Sequence, residues 1–146
     1  MKHFLAVLAL LLPSMAFAAP KVSQERLDAT ARYWQHVLML DDWRVSVAVV
    51  SDSVLPPGIA GLSQRDGGLR LIGIVVLDPA DYAKRPGLPH ADREIVRDIE
   101  DTILHELMHL RLSRVAQSGQ AAPGESEEYL VVRMTTAMLK LHREMR

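Results

Sequence analysis

From Asp92 to about Gln117, the apolar residues Ile95, Val96, Ile99, Ile103, Leu107 and Leu110 recur at helical spacing. This segment predicts a long amphipathic helix, capped by Asp92, with Arg93 and Glu94 in its first turn. Within it lies the run His105-Glu106-Leu107-Met108-His109. Residues four apart stand on one helix face about one turn apart, so both imidazoles can turn a ring nitrogen toward one ion. Glu106 sits roughly 60° round from His109 and can flank that ion without ligating it. Two imidazoles on zinc, with a carboxylate that takes a proton from zinc-bound water, form the arrangement of metalloproteases. The plainer alternative is a solvated helix face whose histidines bind nothing. The histidines lie beside the apolar stripe, at the edge of a core, where a partly enclosed metal would sit.

A catalytic zinc needs a third protein ligand. The extended form of the motif would place glycine at 112 and histidine at 115, where this chain has Leu112 and Val115. A ligand on a later helix is the remaining common solution, and Glu125, Glu127 and Glu128 crowd the start of a final helical segment after Pro123-Gly124. The residues from Ser118 to Gly124 form a loop long enough to return the chain antiparallel. Glu127 shares a face with Val131, Met134, Met138 and Leu141, the stripe expected to pack on the motif helix, and is favoured on that geometry; Glu128 is the alternative. Glu125 reads as a carboxylate that only favours the helix N-terminus, while Lys140, Arg143 and Arg146 suit its end. His142 lies roughly 21 Å beyond Glu128 along the same helix and reads as a surface residue. His36 and His90 are isolated, although His90, just before the motif helix, is a candidate substrate contact.

The rest of the chain supplies a small sheet. Ser23 can cap a helix in which Leu27, Ala31, Trp34 and Leu38 recur up to the Asp41-Asp42 break. Trp43, Val45, Val47 and Val49 alternate with Arg44, Ser46 and Ala48, the pattern of a half-buried strand. Asp66-Gly67-Gly68 marks a turn between a short segment, Ile59 to Arg65, and the Val- and Ile-rich run Leu69 to Leu77. That run predicts a central or near-central strand, ending at Asp78-Pro79. With three prolines and a glycine, Pro79 to Ala91 reads as a loop. The expectation is an α+β fold: an N-terminal helix, a small three-stranded mixed or antiparallel sheet, the motif helix and a C-terminal glutamate helix.

The N-terminus bears on where this chemistry would occur. Lys2 and His3 form a basic start, Phe4 to Leu12 is uninterruptedly apolar, and Ala16-Phe17-Ala18 offers a small-x-small cleavage site. Residues 1–18 therefore read as a secretory signal peptide, with Ala19 the first mature residue and a periplasmic or secreted product. A membrane anchor needs about 20 apolar residues, and Pro13 and Ser14 interrupt the run earlier. There is no cysteine, which excludes disulfides, thiolate ligands and lipid attachment at a thiol. Any zinc site must use histidine and carboxylate. The formal net charge of −1, with both signs scattered, offers no basic stripe for nucleic acid. No second long apolar segment suggests a membrane span after signal cleavage. Residues 19–146 are expected to form one domain.

The segment HELMHLRL, followed by a short loop and the helix Glu127-Glu128-Tyr129-Leu130-Val131, resembles a small gluzincin-type zinc metallopeptidase. The Trp43-Arg44-Val45 strand entry and the Leu69 to Leu77 strand are similar to those of small bacterial and phage-associated metallopeptidases. The resemblance covers most of residues 19–146 in layout, but in specific motif only His105, Glu106, His109 and one downstream glutamate. It implies a zincin-like fold, Zn2+ held by His105, His109 and Glu127 or Glu128, and Glu106 as general base. The sequence departs from larger members in containing no separate C-terminal subdomain, the usual source of a second cleft wall and of a histidine for the oxyanion.

On that reading, Glu106 accepts a proton as a peptide carbonyl is attacked and passes it to the leaving amine. Tyr82, His90 and Tyr129 are the candidates to help polarise the carbonyl. A sheet edge near the site would hold an extended peptide or protein substrate by main-chain hydrogen bonds. Two other classes compete with the peptidase: a zinc-binding regulatory or interaction protein of the same fold without turnover, and a metal-free exported interaction domain in which the motif is accidental.

Overall fold

The computed structural model describes residues 21–117 and 127–145. The signal-peptide segment and Glu125 lie outside them. Helix α1 (Gln24–Val37) starts where Ser23 accepts a hydrogen bond from the Arg26 amide at 3.2 Å, and it buries Leu27, Ala31 and Trp34. Strands β1 (Arg44–Val50), β2 (Gly61–Asp66) and β3 (Leu71–Leu77) follow. They form a three-stranded mixed sheet in the order β1-β3-β2, with β3 parallel to β1 and antiparallel to β2. The apolar run is thus the central strand. Its Ile72, Ile74 and Val76 side chains are buried, while Leu71, Gly73 and Val75 are only half-buried. Alternation along a strand therefore sends one face into the core and leaves the other partly open.

Helix α2 (Asp92–Gln117) and helix α3 (Glu127–Glu144) complete the α+β architecture. Ala91, not Asp92, occupies the capping position of α2, for its carbonyl accepts from the Glu94 and Ile95 amides at 2.8 and 2.9 Å. The expected loop after β3 is not wholly irregular. Pro79–Lys84 forms a 3₁₀ helix, begun by the Asp78 carboxylate accepting from the Ala80 amide at 2.9 Å. A proline-rich segment supports such a short turn because proline's fixed φ suits its first positions. One hydrophobic core joins Trp34 of α1, Val47 of β1, Ile74 of β3, Leu107 of α2 and Leu139 of α3.

Two local features bring β2 against α2. Arg85 is 6% exposed and threads its guanidinium into the 51–60 segment, where it donates to the Asp52 carboxylate and to the carbonyls of Asp52, Leu55, Pro56 and Ile59. A buried charge is tolerable when its donors are so fully matched. Gly61, the first residue of β2, then passes so close to α2 that a Cβ there would lie 2.4 Å from Thr102 Cγ2 and 2.6 Å from the Val75 carbonyl oxygen. Gly61→Ala is therefore expected to lower stability by about 1–3 kcal/mol, the cost of overpacking. Adding Thr102→Ser should not restore it, since the backbone contact persists. Urea unfolding checks both; an unchanged midpoint in Gly61→Ala would contradict the close approach.

Candidate metal centre

The rotation of α2 about its axis follows from what it buries. Ile95, Ile99, Ile103, Leu104, Leu107, Met108 and Leu110 are all buried, a stripe wide enough to leave only one orientation for the remaining face. His105 and His109 flank it, with side chains 26% and 27% exposed. Glu106 is half-buried and points toward β2, where Ser63 Oγ donates to its Oε2 at 2.5 Å.

Helix α3 brings the glutamates. Its buried side chains are Val131, Thr135, Leu139 and His142, not the expected stripe of Val131, Met134, Met138 and Leu141. Met134 and Leu141 stay 41% and 57% exposed. The physical reason lies in α1. Tyr33 Oη and His142 Nδ1 are 2.9 Å apart, and the imidazole lies against both Tyr33 and Trp34, with ring centroids 4.8 and 5.1 Å away. His142, expected at the surface, is thus buried, and it turns the helix toward the Thr135 side. Glu128 continues this buried face by one turn.

The consequence is a convergence of donors. His105 Nε2 and His109 Nε2 are 3.2 Å apart. Glu128 Oε2 lies 3.0 Å from His109 Nε2, and Glu128 Oε1 lies 3.4 Å from His105 Nε2. Among the described residues, these three form the one group of histidine and carboxylate side chains close enough to share a metal. Nitrogen and oxygen ligands at about 2.0–2.1 Å in a tetrahedral shell stand about 3.3 Å from one another. The two Nε2 atoms are spaced close to that, and the carboxylate stands against both of them through different oxygens, Oε2 toward His109 and Oε1 toward His105. Glu127, favoured from the sequence as third ligand, reaches a different atom: its Oε1 lies 2.9 Å from His109 Nδ1. A carboxylate on the far nitrogen fixes ring orientation and tautomer, leaving Nε2 to face an ion.

A cleft of about 320 Å³ opens beside this group between β2, α2 and α3, and a second of about 240 Å³ lies toward Ser63 and Glu127. Glu106 borders both. Of the residues suggested for oxyanion assistance, none borders the larger cleft. Tyr82 is fully buried behind it and donates to Asp98 Oδ2 at 2.9 Å. Burial and the neighbouring Asp98 charge push its phenol far above the ordinary value. His90 is exposed before α2, and Tyr129 is half-exposed beside the Arg133 guanidinium. His36 pairs with Asp41 at 3.1 Å on the outer surface.

Four residues of the neighbourhood escape a motif-based reading. Asp98 and Asp101 line the larger cleft and could have been found, since they precede His105 by two turns and one turn on the same helix. Ser63 and Thr135 have no local signal, because sheet register and helix rotation place them. Burial raises the carboxyl pKa of Asp98, partly offset by the Tyr82 hydrogen bond. Burial chiefly, and then the Asp98 charge, raise that of Asp101. No family model, curated protein or solved structure matches this chain.

A raised folded-state value means that ionised Asp101 is penalised in the folded protein. The penalty is absent below the ordinary carboxyl value of 3.8, and stability is lost as pH rises from there through the folded value. Asp101→Asn should therefore raise the melting temperature of the metal-free protein near neutral pH, with a gain that shrinks toward about pH 4. Thermal scans across that range check it. A gain independent of pH would contradict burial of the charge as its source.

Proposed function

We propose that this chain is an exported zinc-dependent metallopeptidase of the gluzincin type, in which His105, His109 and Glu128 hold the ion and Glu106 is the general base. One observation carries the reading: the Glu128 carboxylate meets both Nε2 atoms at 3.0 and 3.4 Å, from a helix whose rotation is fixed elsewhere. A small mixed sheet followed along the chain by two long helices is the layout that supports a zincin-like reading. The apolar segment before Ala19 is the ground for export.

His105, His109 and Glu128 would hold the ion, which would supply a bound water of lowered pKa. Glu106 would take the proton of that water as it adds to the peptide carbonyl, and pass it to the leaving amine. Ser63 restrains one oxygen of Glu106, at 2.5 Å, and so aims the other. Glu127 orients His109 through Nδ1. For the substrate, the outer edges of the sheet are unequal. Gln24 Nε2 donates to the Val47 carbonyl at 2.7 Å on β1, whereas β2 begins at the cleft, with Ile59, Ala60 and Gly61 along its wall. An extended peptide added to β2 would pass Glu106.

The ligand assignment separates the two glutamates. Glu127→Ala should weaken zinc affinity about 10–100-fold, the usual effect of losing an outer partner. Glu128→Ala should weaken it well beyond that range. Competition titration with a chromogenic chelator measures both, and the reverse order would reassign the third ligand. Glu106→Gln should leave zinc bound and lower peptide cleavage about 10²–10⁴-fold. Mass spectrometry of a peptide library incubated with zinc-loaded protein, with a chelator control, reads this. Chelator-sensitive cleavage that survives Glu106→Gln would contradict the mechanism.

A further inference from the structure

The cleft of about 320 Å³ beside the metal group carries more negative charge than the proposed chemistry uses. Asp98, Asp101, Glu106 and Glu128 all border it, and no lysine or arginine does. One divalent ion at His105, His109 and Glu128 would still leave two carboxylates in excess. Those two, Asp98 and Asp101, have no part in holding the ion. Asp98 lines the cleft and is held by Tyr82, whose fully buried hydroxyl donates to Oδ2 at 2.9 Å, while Oδ1 has no hydrogen bond among the described residues. The Asp101 side chain has no hydrogen bond among the described residues.

The opposite wall holds a second, independent sign of a missing ligand. Thr135 on α3 is 2% exposed and borders the same cleft. Its Oγ1 is buried and has no hydrogen-bond partner among the described residues. A buried hydroxyl without a partner costs roughly 1–3 kcal/mol, so such groups are normally satisfied. Two half-buried carboxylates and a residue whose hydroxyl is unmatched line the same cleft, a set suited to a group with several N–H donors. The burial that raises both carboxyl pKa values adds a standing cost that a bound cation would relieve. Arg143, whose charge acts on Asp101, does not answer this need, because it borders a different cleft with Glu100 and His142.

We propose that this cleft is a cation-recognition subsite, in which Asp98, Asp101 and Thr135 take an ammonium or guanidinium group of the peptide substrate. The inference rests on the peptidase reading for the word substrate, but the recognition is a property of the cleft. Scale agrees with it. Asp101 and Asp98 stand about 6 and 10 Å before His105 along the helix axis. The flexible four-carbon stem of lysine, or the longer fork of arginine, suits that span from a carbonyl held beside His105. Charge-assisted hydrogen bonds to carboxylates are about twice as strong as neutral ones, which gives the subsite its selectivity.

The test is peptide binding to zinc-loaded Glu106→Gln protein, which removes turnover, measured by isothermal titration with an alanine pentapeptide carrying a central lysine. The same peptide with central norleucine is the comparison, and each is made with an acetylated and with a free amino terminus. Lysine in the acetylated peptide should bind at least about tenfold more tightly than norleucine, a preference lost on adding Asp101→Asn or Asp98→Asn. A preference that appears only with the free terminus would assign the subsite to the peptide's own α-ammonium. Asp98→Asn disturbs the Tyr82 contact, so circular dichroism accompanies it; Asp101→Asn, which breaks no such bond, keeps the test decisive. Equal affinity for all four peptides, no binding of any, or a lysine preference untouched by both substitutions would overturn the proposal. Lysine-selective binding with no cleavage by the zinc-loaded wild type would instead count against the peptidase. Chelator-sensitive cleavage without basic preference would leave the peptidase standing and remove the subsite.

Discussion

Burial of the broad apolar side of α2 is the constraint on which the rest of the molecule depends. Seven side chains from Ile95 to Leu110 are removed from water along that helix, each worth about 1.5–3 kcal/mol relative to exposure. Rotating α2 by even one position would expose part of this stripe and carry His105, Glu106 and His109 away from the cleft. The site therefore inherits its precision from packing. Gly61 and Arg85 act on the facing side: the glycine lets β2 come within contact of Thr102, and the arginine holds the segment that delivers it. Ser63 can then reach Glu106.

The two adjacent glutamates divide between two atoms of one imidazole. Glu128 faces Nε2 of His109 and of His105, while Glu127 faces Nδ1 of His109. Neighbouring residues on a helix point about 100° apart, so one cannot substitute for the other. What decides which one faces the histidines is the far end of α3, where His142 packs against both Tyr33 and Trp34. A contact among aromatic rings some fourteen residues along the helix, about 21 Å away, thereby sets which donors meet at the candidate metal centre.

Much of this was legible in the sequence because it is written in short-range periodicity. The Ser23 cap, the stripe from Ile95 to Leu110 and the Leu69 to Leu77 run each specify their element without reference to the rest of the chain. The spacing of His105 and His109 likewise needs only the pitch of a helix. The rotation of α3 was not legible, since Met134 and Leu141 are at least as apolar as the Thr135 and His142 that displace them from the core. The choice is made by Tyr33, 109 residues from His142 in sequence. Ser63 was hidden for a similar reason, as its partner Glu106 is 43 residues away and is brought near by sheet register and the Gly61 contact. Asp98 and Asp101 were within reach of helical spacing but belong to no motif.

The central claim, that three particular side chains form a zinc site, is tested most directly by zinc-edge X-ray absorption on the tag-free protein loaded with one equivalent of zinc. The expected spectrum shows two imidazole nitrogens and oxygen ligands at about 2.0–2.1 Å, in a four-coordinate shell. Zinc that dialyses away, or a bound ion whose spectrum lacks the scattering of two imidazoles, would contradict the account.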